Sequence, residues 1–163
     1  MNYIRLRKNN LCIENISAFR LTKKYKTPFY CYSLGQLKKN FDTFRSAFRT
    51  IKPILCYSVK SNANINVLRE LKKMGSGADV VSMGELLKAT KAGINTKKIV
   101  FSGIGKTEEE IKMAIRKNVL LINVESESEA NLINKISKRL SKQTSIGIRL
   151  NPNVTGRTHK KIS

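Results

Sequence analysis

Lys60 closes an apolar run, Ile54-Leu55-Cys56-Tyr57-Ser58-Val59, and is followed by the polar residues Ser61, Asn62 and Asn64. A lysine held against an apolar strand loses its proton more readily than one in water. The neutral amine is a nucleophile that forms a Schiff base with an aldehyde. In a chain this rich in lysine, the same residue also reads as a solvated strand end. Asp79 lies inside the short apolar strand Ala78-Asp79-Val80-Val81. A buried carboxylate needs a partner or a proton. If the two strands are neighbours, Asp79 approaches Lys60; otherwise it is a strand-edge acid in solvent. Arg149, in Ile146-Gly147-Ile148-Arg149-Leu150, requires an anion or a water-filled cavity to face.

Other candidates carry less chemistry. Glu85 stands three residues after Ser82 and is accounted for by a capping box. Gly103-Ile104-Gly105 resembles a phosphate loop loosely, without a third glycine or a Gly-Lys-Ser/Thr ending, and a strand-to-helix turn explains it. The single histidine, His159, sits in a basic tail and belongs to no serine–histidine–acid arrangement. Cys12, Cys31 and Cys56 form no C-x-x-C pair, which excludes a zinc or disulfide framework and points to reduced thiols in the cytosol.

The elements that position these residues alternate. Residues 54–59 are too short for a helix and suit a buried strand, and Asn64 caps a helix with Ile65, Leu68 and Leu71 inside. Gly75-Ser76-Gly77 stops it. Strands follow at 78–81, 98–101, 119–124 and 144–150, separated by helices that open at Ser82/Glu85, Thr107/Glu110 and Ser126/Glu129, each pair read as a capping box. Upstream, the sequence predicts a short strand near 11–13, a helix over 16–25, an aromatic strand at 29–32 and a helix capped by Ser33. Leu34, Leu37, Phe41, Phe44 and Phe48 lie on one face of that helix. Alternating strands and helices define an α/β fold with a parallel sheet. An open doubly wound sheet and part of an eight-stranded barrel both satisfy the pattern, and a complete barrel needs about 250 residues.

The chain has 163 residues, 32 Lys+Arg and 11 Asp+Glu, for a net charge of +21. Such a charge suits nucleic acid, but basic residues are dispersed without a block of five or six, which describes a solvated surface rather than a binding arm. The N-terminus lacks the apolar core of a signal peptide. No stretch approaches the ~18 apolar residues of a membrane span.

Taken together, several segments resemble the fold-type III pyridoxal-phosphate decarboxylases. Tyr57-Ser58-Val59-Lys60-Ser61-Asn62 is similar to the family's Tyr-x-Val-Lys-x-Asn segment. Gly77-Ala78-Asp79-Val80-Val81-Ser82, with Gly84 and Glu85, resembles its next strand and helix start, and Thr27-Pro28-Phe29-Tyr30 with Tyr32 its entry segment. Ile148-Arg149-Leu150-Asn151-Pro152 and Thr158-His159 with Ile162-Ser163 look specifically like the diaminopimelate decarboxylases.

This resemblance implies an alanine-racemase-like (β/α)8 barrel, entered through a strand/helix segment at 1–33 and occupied by residues 34–163, with about five of eight strands present. It implies pyridoxal 5'-phosphate as cofactor on Lys60, with Asp79 and Arg149 around the pocket. The expected reaction is removal of carbon dioxide from meso-diaminopimelate to give L-lysine. It also implies a homodimer and a second, β-rich domain. That domain, the His-x-Gly-Ser and glycine-rich phosphate segments and the acid for the pyridine nitrogen are not in this sequence. The chain is therefore expected to be inactive and aggregation-prone alone. It reads as half of a split enzyme needing a C-terminal partner chain, a non-catalytic remnant, or part of a longer chain.

Overall fold

The structure is a computed structural model and describes residues 3–152. His159 and the Thr158–Ser163 motif lie outside the described residues. Three short strands, β1 (Ile4–Arg7), β2 (Asn10–Ile13) and β3 (Ile16–Ser17), form an antiparallel meander. Only β2 was legible in the sequence. The β1–β2 turn is made by Lys8 and Asn9, both at positive φ (46° and 59°), the backbone of a tight hairpin without its usual glycine. Helix α1 (Ala18–Lys24) follows, capped by Ser17. Helix α2 (Leu34–Ala47) is capped by Ser33, as its sequence predicts. Glu14 ties the meander to α2, its Oε1 accepting from Ser33 Oγ at 2.7 Å and from the Gly35 N–H at 2.9 Å.

The aromatic strand expected at 29–32 does not form. A strand needs a ladder partner, and residues 29–32 join neither the β1–β3 meander nor the sheet that begins further on. Tyr30 and Tyr32 instead stack on each other, with Tyr30 90% exposed. The apolar face of α2 is only partly covered, with Leu37 and Phe41 half-buried and Leu34, Phe44 and Phe48 exposed. Phe44 packs against Phe48, yet the helix contributes no buried residue.

The second sheet is the expected alternation. Strands β4 (Cys56–Ser58), β5 (Gly77–Val80), β6 (Ile99–Phe101), β7 (Leu121–Val124) and β8 (Ile146–Ile148) are all parallel and lie in chain order. They are joined by α3 (Ile65–Lys73), α4 (Met83–Lys91), α5 (Glu108–Arg116) and α6 (Glu127–Arg139). Chain order without a reversal is what a barrel requires and a doubly wound sheet lacks. The core lies between the helices and one face of the sheet, where Val80, Ile99, Phe101 and Ile122 meet Leu68, Leu86 and Ile111, all fully buried. The opposite face, on the alternate residues Ser58, Asp79, Val100, Ser102, Leu121, Asn123 and Gly147, is half-buried. Gly77 lets this face close up: a Cβ there would run into the Lys98 carbonyl and lie 2.9 Å from Cys56 Sγ. Gly77→Ala is therefore expected to destabilise the chain by about 1–3 kcal/mol, read as a lower denaturant midpoint. An unchanged midpoint would mean β6 can retreat from β5.

Capping settles the helix starts. The Thr107/Glu110 box is reciprocal, whereas at the other two only half of the expected box forms. Glu85 turns to the Val81 N–H, and Glu129 accepts from the Glu125 N–H and from Lys106. Glu110 does double duty, with Oε2 on the Thr107 N–H and Oε1 on the Met83 N–H, so one carboxylate caps α5 and the first turn of α4. The Thr107 N–H, with help from Met83, holds its pKa below the ordinary 4.5, against the opposing effect of burial. A depressed folded-state pKa contributes stability above 4.5 that fades as pH falls through the lower folded value. The melting midpoint of Glu110→Gln should thus lie below the parent's at pH 7, with the gap closing below pH 4.5; a gap constant with pH would refute the role. First helical turns carry Glu85, Glu108, Glu109, Glu127 and Glu129, while last turns carry Lys72, Lys73, Lys91, Arg116, Lys138 and Arg139. Much of the basic charge thus complements helix dipoles on a solvated surface.

Candidate active site

Strand β4 gives way after Ser58 to a single 3-10 turn, Val59–Ser61, which carries Lys60 at the C-terminal edge of the sheet. Val59 is fully buried and anchors the turn. Ser61 Oγ lies 2.7 Å from the Ser58 carbonyl oxygen, and Asn62 Oδ1 accepts from the Asn64 N–H at 3.0 Å, so the backbone on both sides of Lys60 is fixed. Asn64 then caps α3. The Lys60 side chain is exposed, and its amine makes no hydrogen bond or ion pair with a described residue.

Asp79 is on the neighbouring strand, in register with Ser58. Strand adjacency, left conditional by the sequence, is met, but Asp79 forms no ion pair with Lys60. Its carboxylate accepts from Ser102 Oγ at 2.6 Å and, more weakly, from Ser58 Oγ at 3.4 Å. Asn123 Nδ2 donates in turn to Ser102 Oγ at 2.9 Å. These side chains make a polar row across the inner face from β4 to β7. Cys56 sits on the same face, its thiol pushed up by burial and then by the charge of Asp79, so it stays protonated and is no nucleophile at neutral pH.

Arg149 follows directly on β8, with its N–H on the Val124 carbonyl. Its guanidinium lies 3.4 Å from the Glu125 carboxylate and is 58% exposed, so among the described residues the anion it faces is Glu125. It shares the C-terminal edge with Lys60 and Asp79 but stands three strands from Asp79, about 14 Å along the sheet. Gly103, Ile104 and Gly105 form a plain turn with Ile104 at its tip, 82% exposed. Glu85 is a capping side chain.

Two residues of the inner face, and one that anchors them from the helix side, went unnoticed in the sequence. Ser102 and Asn123 look like ordinary strand-end polar residues. Lys106 is hidden because one lysine among many carries no signal, yet it is buried with Nζ 2.6 Å from Gly103 O, Asn123 O and Glu129 Oε1. Among the described residues no helix is long and apolar enough to cross a membrane, and no cluster of histidine, cysteine and acidic residues is built to hold a metal.

A parallel sheet with its chemistry-bearing side chains on the C-terminal edge is the plan of a (β/α)8 enzyme. Residues 34–163 match the family described as pyridoxal-dependent decarboxylase, pyridoxal binding domain, and the chain belongs to that family. Within it, the similar proteins are diaminopimelate decarboxylases. The one from Helicobacter pylori strain J99 is 46% identical over 143 residues, which cover 88% of this chain and 35% of that protein. The one from Haemophilus influenzae is 40% identical over 163 residues, 100% of this chain and 39% of its own. The crystal structure of the M. jannaschii diaminopimelate decarboxylase in co-complex with L-lysine superposes with a TM-score of 0.91 at 40% identity, over 99% of this chain and 38% of that one. The chain thus spans between about a third and two-fifths of its relatives' length, and its five parallel strands have the fold of their N-terminal barrel domain.

The residues present fit the cofactor of this family. An aldehyde needs a primary amine that no acceptor competes for, and among the described residues none competes for Lys60. A polar ring bearing an anionic group needs donors and acceptors nearby. The exposed guanidinium of Arg149 and the half-buried Asp79 are of those types.

Proposed function

We propose that this chain is the cofactor-bearing part of a pyridoxal-phosphate-dependent decarboxylase acting on meso-diaminopimelate to give L-lysine and carbon dioxide. The observation that carries the reading is the Lys60 amine, carried on a fixed turn at the sheet's C-terminal edge and without a partner among the described residues. The identity of 40–46% to diaminopimelate decarboxylases supports the substrate. Pyridoxal phosphate, when bound, supplies an electron sink for the pair left behind as carbon dioxide departs.

Lys60 would hold the cofactor through its amine. Asp79 would line the pocket, kept in place by the Ser102 and Ser58 hydroxyls. Arg149 would offer the guanidinium edge not turned to Glu125 to an anionic group of cofactor or substrate. The half-buried polar row beneath would hold the sheet side of the site in one arrangement. Residues 1–33 would form an entry unit and 34–163 the barrel portion. The reduced cysteines suit the cytosol.

A second reading rests on the sheet edges. Among the described residues β4 pairs only with β5 and β8 only with β7, and Ile148 and Leu150 are 73% and 81% exposed. Activity would then require further strands, from a complementary C-terminal chain or from more of the same chain, within a homodimer. The test is to mix the chain with pyridoxal phosphate, reduce with borohydride and map the labelled lysine by mass spectrometry, with and without the C-terminal portion of a related enzyme. Selective labelling of Lys60 in the chain alone supports the first reading. Labelling only with the added portion supports the second. Indiscriminate labelling in both would sink the cofactor role.

A further inference from the structure

Lys106 is 2% exposed at its side chain, and Glu129, its ion-pair partner at 2.6 Å, is 9% exposed. Burying two charges costs several kcal/mol each, so such a pair is weak evidence for stability and calls for another account. The geometry supplies one. An ammonium has three donors, and the three acceptors of Lys106 are all at 2.6 Å. Two of them are main-chain carbonyls at the C-terminal ends of adjacent strands. Gly103 directly follows Ser102, and Asn123 is itself a member of the polar row.

The same ammonium therefore fixes both residues that determine how Asp79 is held. From Lys106 the contacts run through Asn123 to Ser102, from Ser102 to Asp79, and from Asp79 to Ser58, two residues before Lys60. Glu129 completes the anchor. Its second oxygen accepts from the Glu125 N–H, which ties the start of α6 and the Arg149 partner to the same point.

We propose that Lys106, with Glu129, is a positioning residue of the cofactor site: the buried pair locks the ends of β6 and β7 so that Ser102 and Asn123 present Asp79 in one orientation beside Lys60. The pair touches neither substrate nor cofactor. The inference rests on the reading of Lys60 as the cofactor lysine. It adds that the site's order is imposed from the helix side of the sheet.

The test replaces the pair with apolar residues of similar size, Lys106→Met with Glu129→Leu, an exchange that often leaves stability unchanged or raised. Two readouts are taken on the full chain, with circular dichroism and melting confirming the fold. One is the exchange rate of the Asn123 side-chain amide protons by NMR. The other is the rate at which pyridoxal phosphate and borohydride label Lys60. The proposal expects amide exchange to rise and Lys60 labelling to slow, each about tenfold. Should the double variant not fold, Ser102→Ala cuts the same row without touching the pair and should slow labelling similarly. Parent-like labelling in either folded variant overturns the proposal. If the parent shows no selective Lys60 labelling either alone or with the C-terminal portion of a related enzyme, the cofactor reading fails. The amide exchange then decides the rest, and an unchanged rate overturns the positioning role independently.

Discussion

Lys60→Ala should abolish selective capture of pyridoxal phosphate, dropping label at that peptide to the level of the other surface lysines, a loss on the order of a hundredfold. The size follows from position. The chain carries 32 basic side chains, and any exposed lysine among them can react with an aldehyde in passing. What sets Lys60 apart is a backbone pinned on both sides by Ser61 and Asn62, so its amine is presented at one place on the sheet's edge. Lys60→Arg sharpens the experiment. Arginine keeps the charge that attracts a phosphate but has no nucleophilic amine at neutral pH. Both variants should lose the adduct, while only the alanine variant should also bind the free phosphate group less well. If Lys60→Arg retained label at the same peptide, capture would come from a neighbouring lysine and the assignment would fall.

That Lys60 could be singled out at all reflects how much of a parallel α/β unit is written locally. The run 54–59, the Asn64 cap and the Gly75-Ser76-Gly77 stop predict a strand, an edge and a helix, and the structure has them within a residue or two. The Thr107/Glu110 box is complete because both partners are three residues apart on one chain segment. At Glu85 and Glu129 the same spacing is present but the carboxylate has a better offer, the Val81 N–H in one case and a buried ammonium in the other. Local spacing sees the near partner only. The same limit explains the misses upstream. The β1–β2 turn at Lys8-Asn9 lacks a glycine to announce it, and the aromatic run at 29–32 has strand propensity but joins neither sheet.

In the candidate site, Lys60, Asp79 and Arg149 were visible because each is a charge in an apolar setting. What binds them was not. Ser102, Asn123 and Lys106 act through partners 17 to 23 residues away, and those separations depend on strand register. Periodicity also left an open sheet and a barrel equally allowed. The ordered run β4 to β8 separates them, since it contains no point where strand order reverses.

Phe101→Ala should be the most damaging core substitution, costing about 3–5 kcal/mol. Phe101 is fully buried on β6, the middle of the five parallel strands, and it is the largest side chain with no exposure. Small domains hold only about 5–15 kcal/mol in total. Among the described residues the edge strands β4 and β8 each have one ladder face unpaired, and Ile148 and Leu150 gain little from burial, which places the chain low in that range. The melting midpoint should therefore fall by about 10 °C or more, and Lys60 labelling should lose its selectivity although Lys60 is untouched. Ile148→Ala is the matched control. It removes an apolar side chain from the same face of the sheet, but one 73% exposed, and should shift stability by about 0.5 kcal/mol or less. If a complementary C-terminal portion covers β8, the contrast should shrink, because Ile148 then becomes a core residue. Equal costs for the two substitutions in the isolated chain would mean that β8 is already covered there, for instance by self-association, and that the open-edge account is wrong.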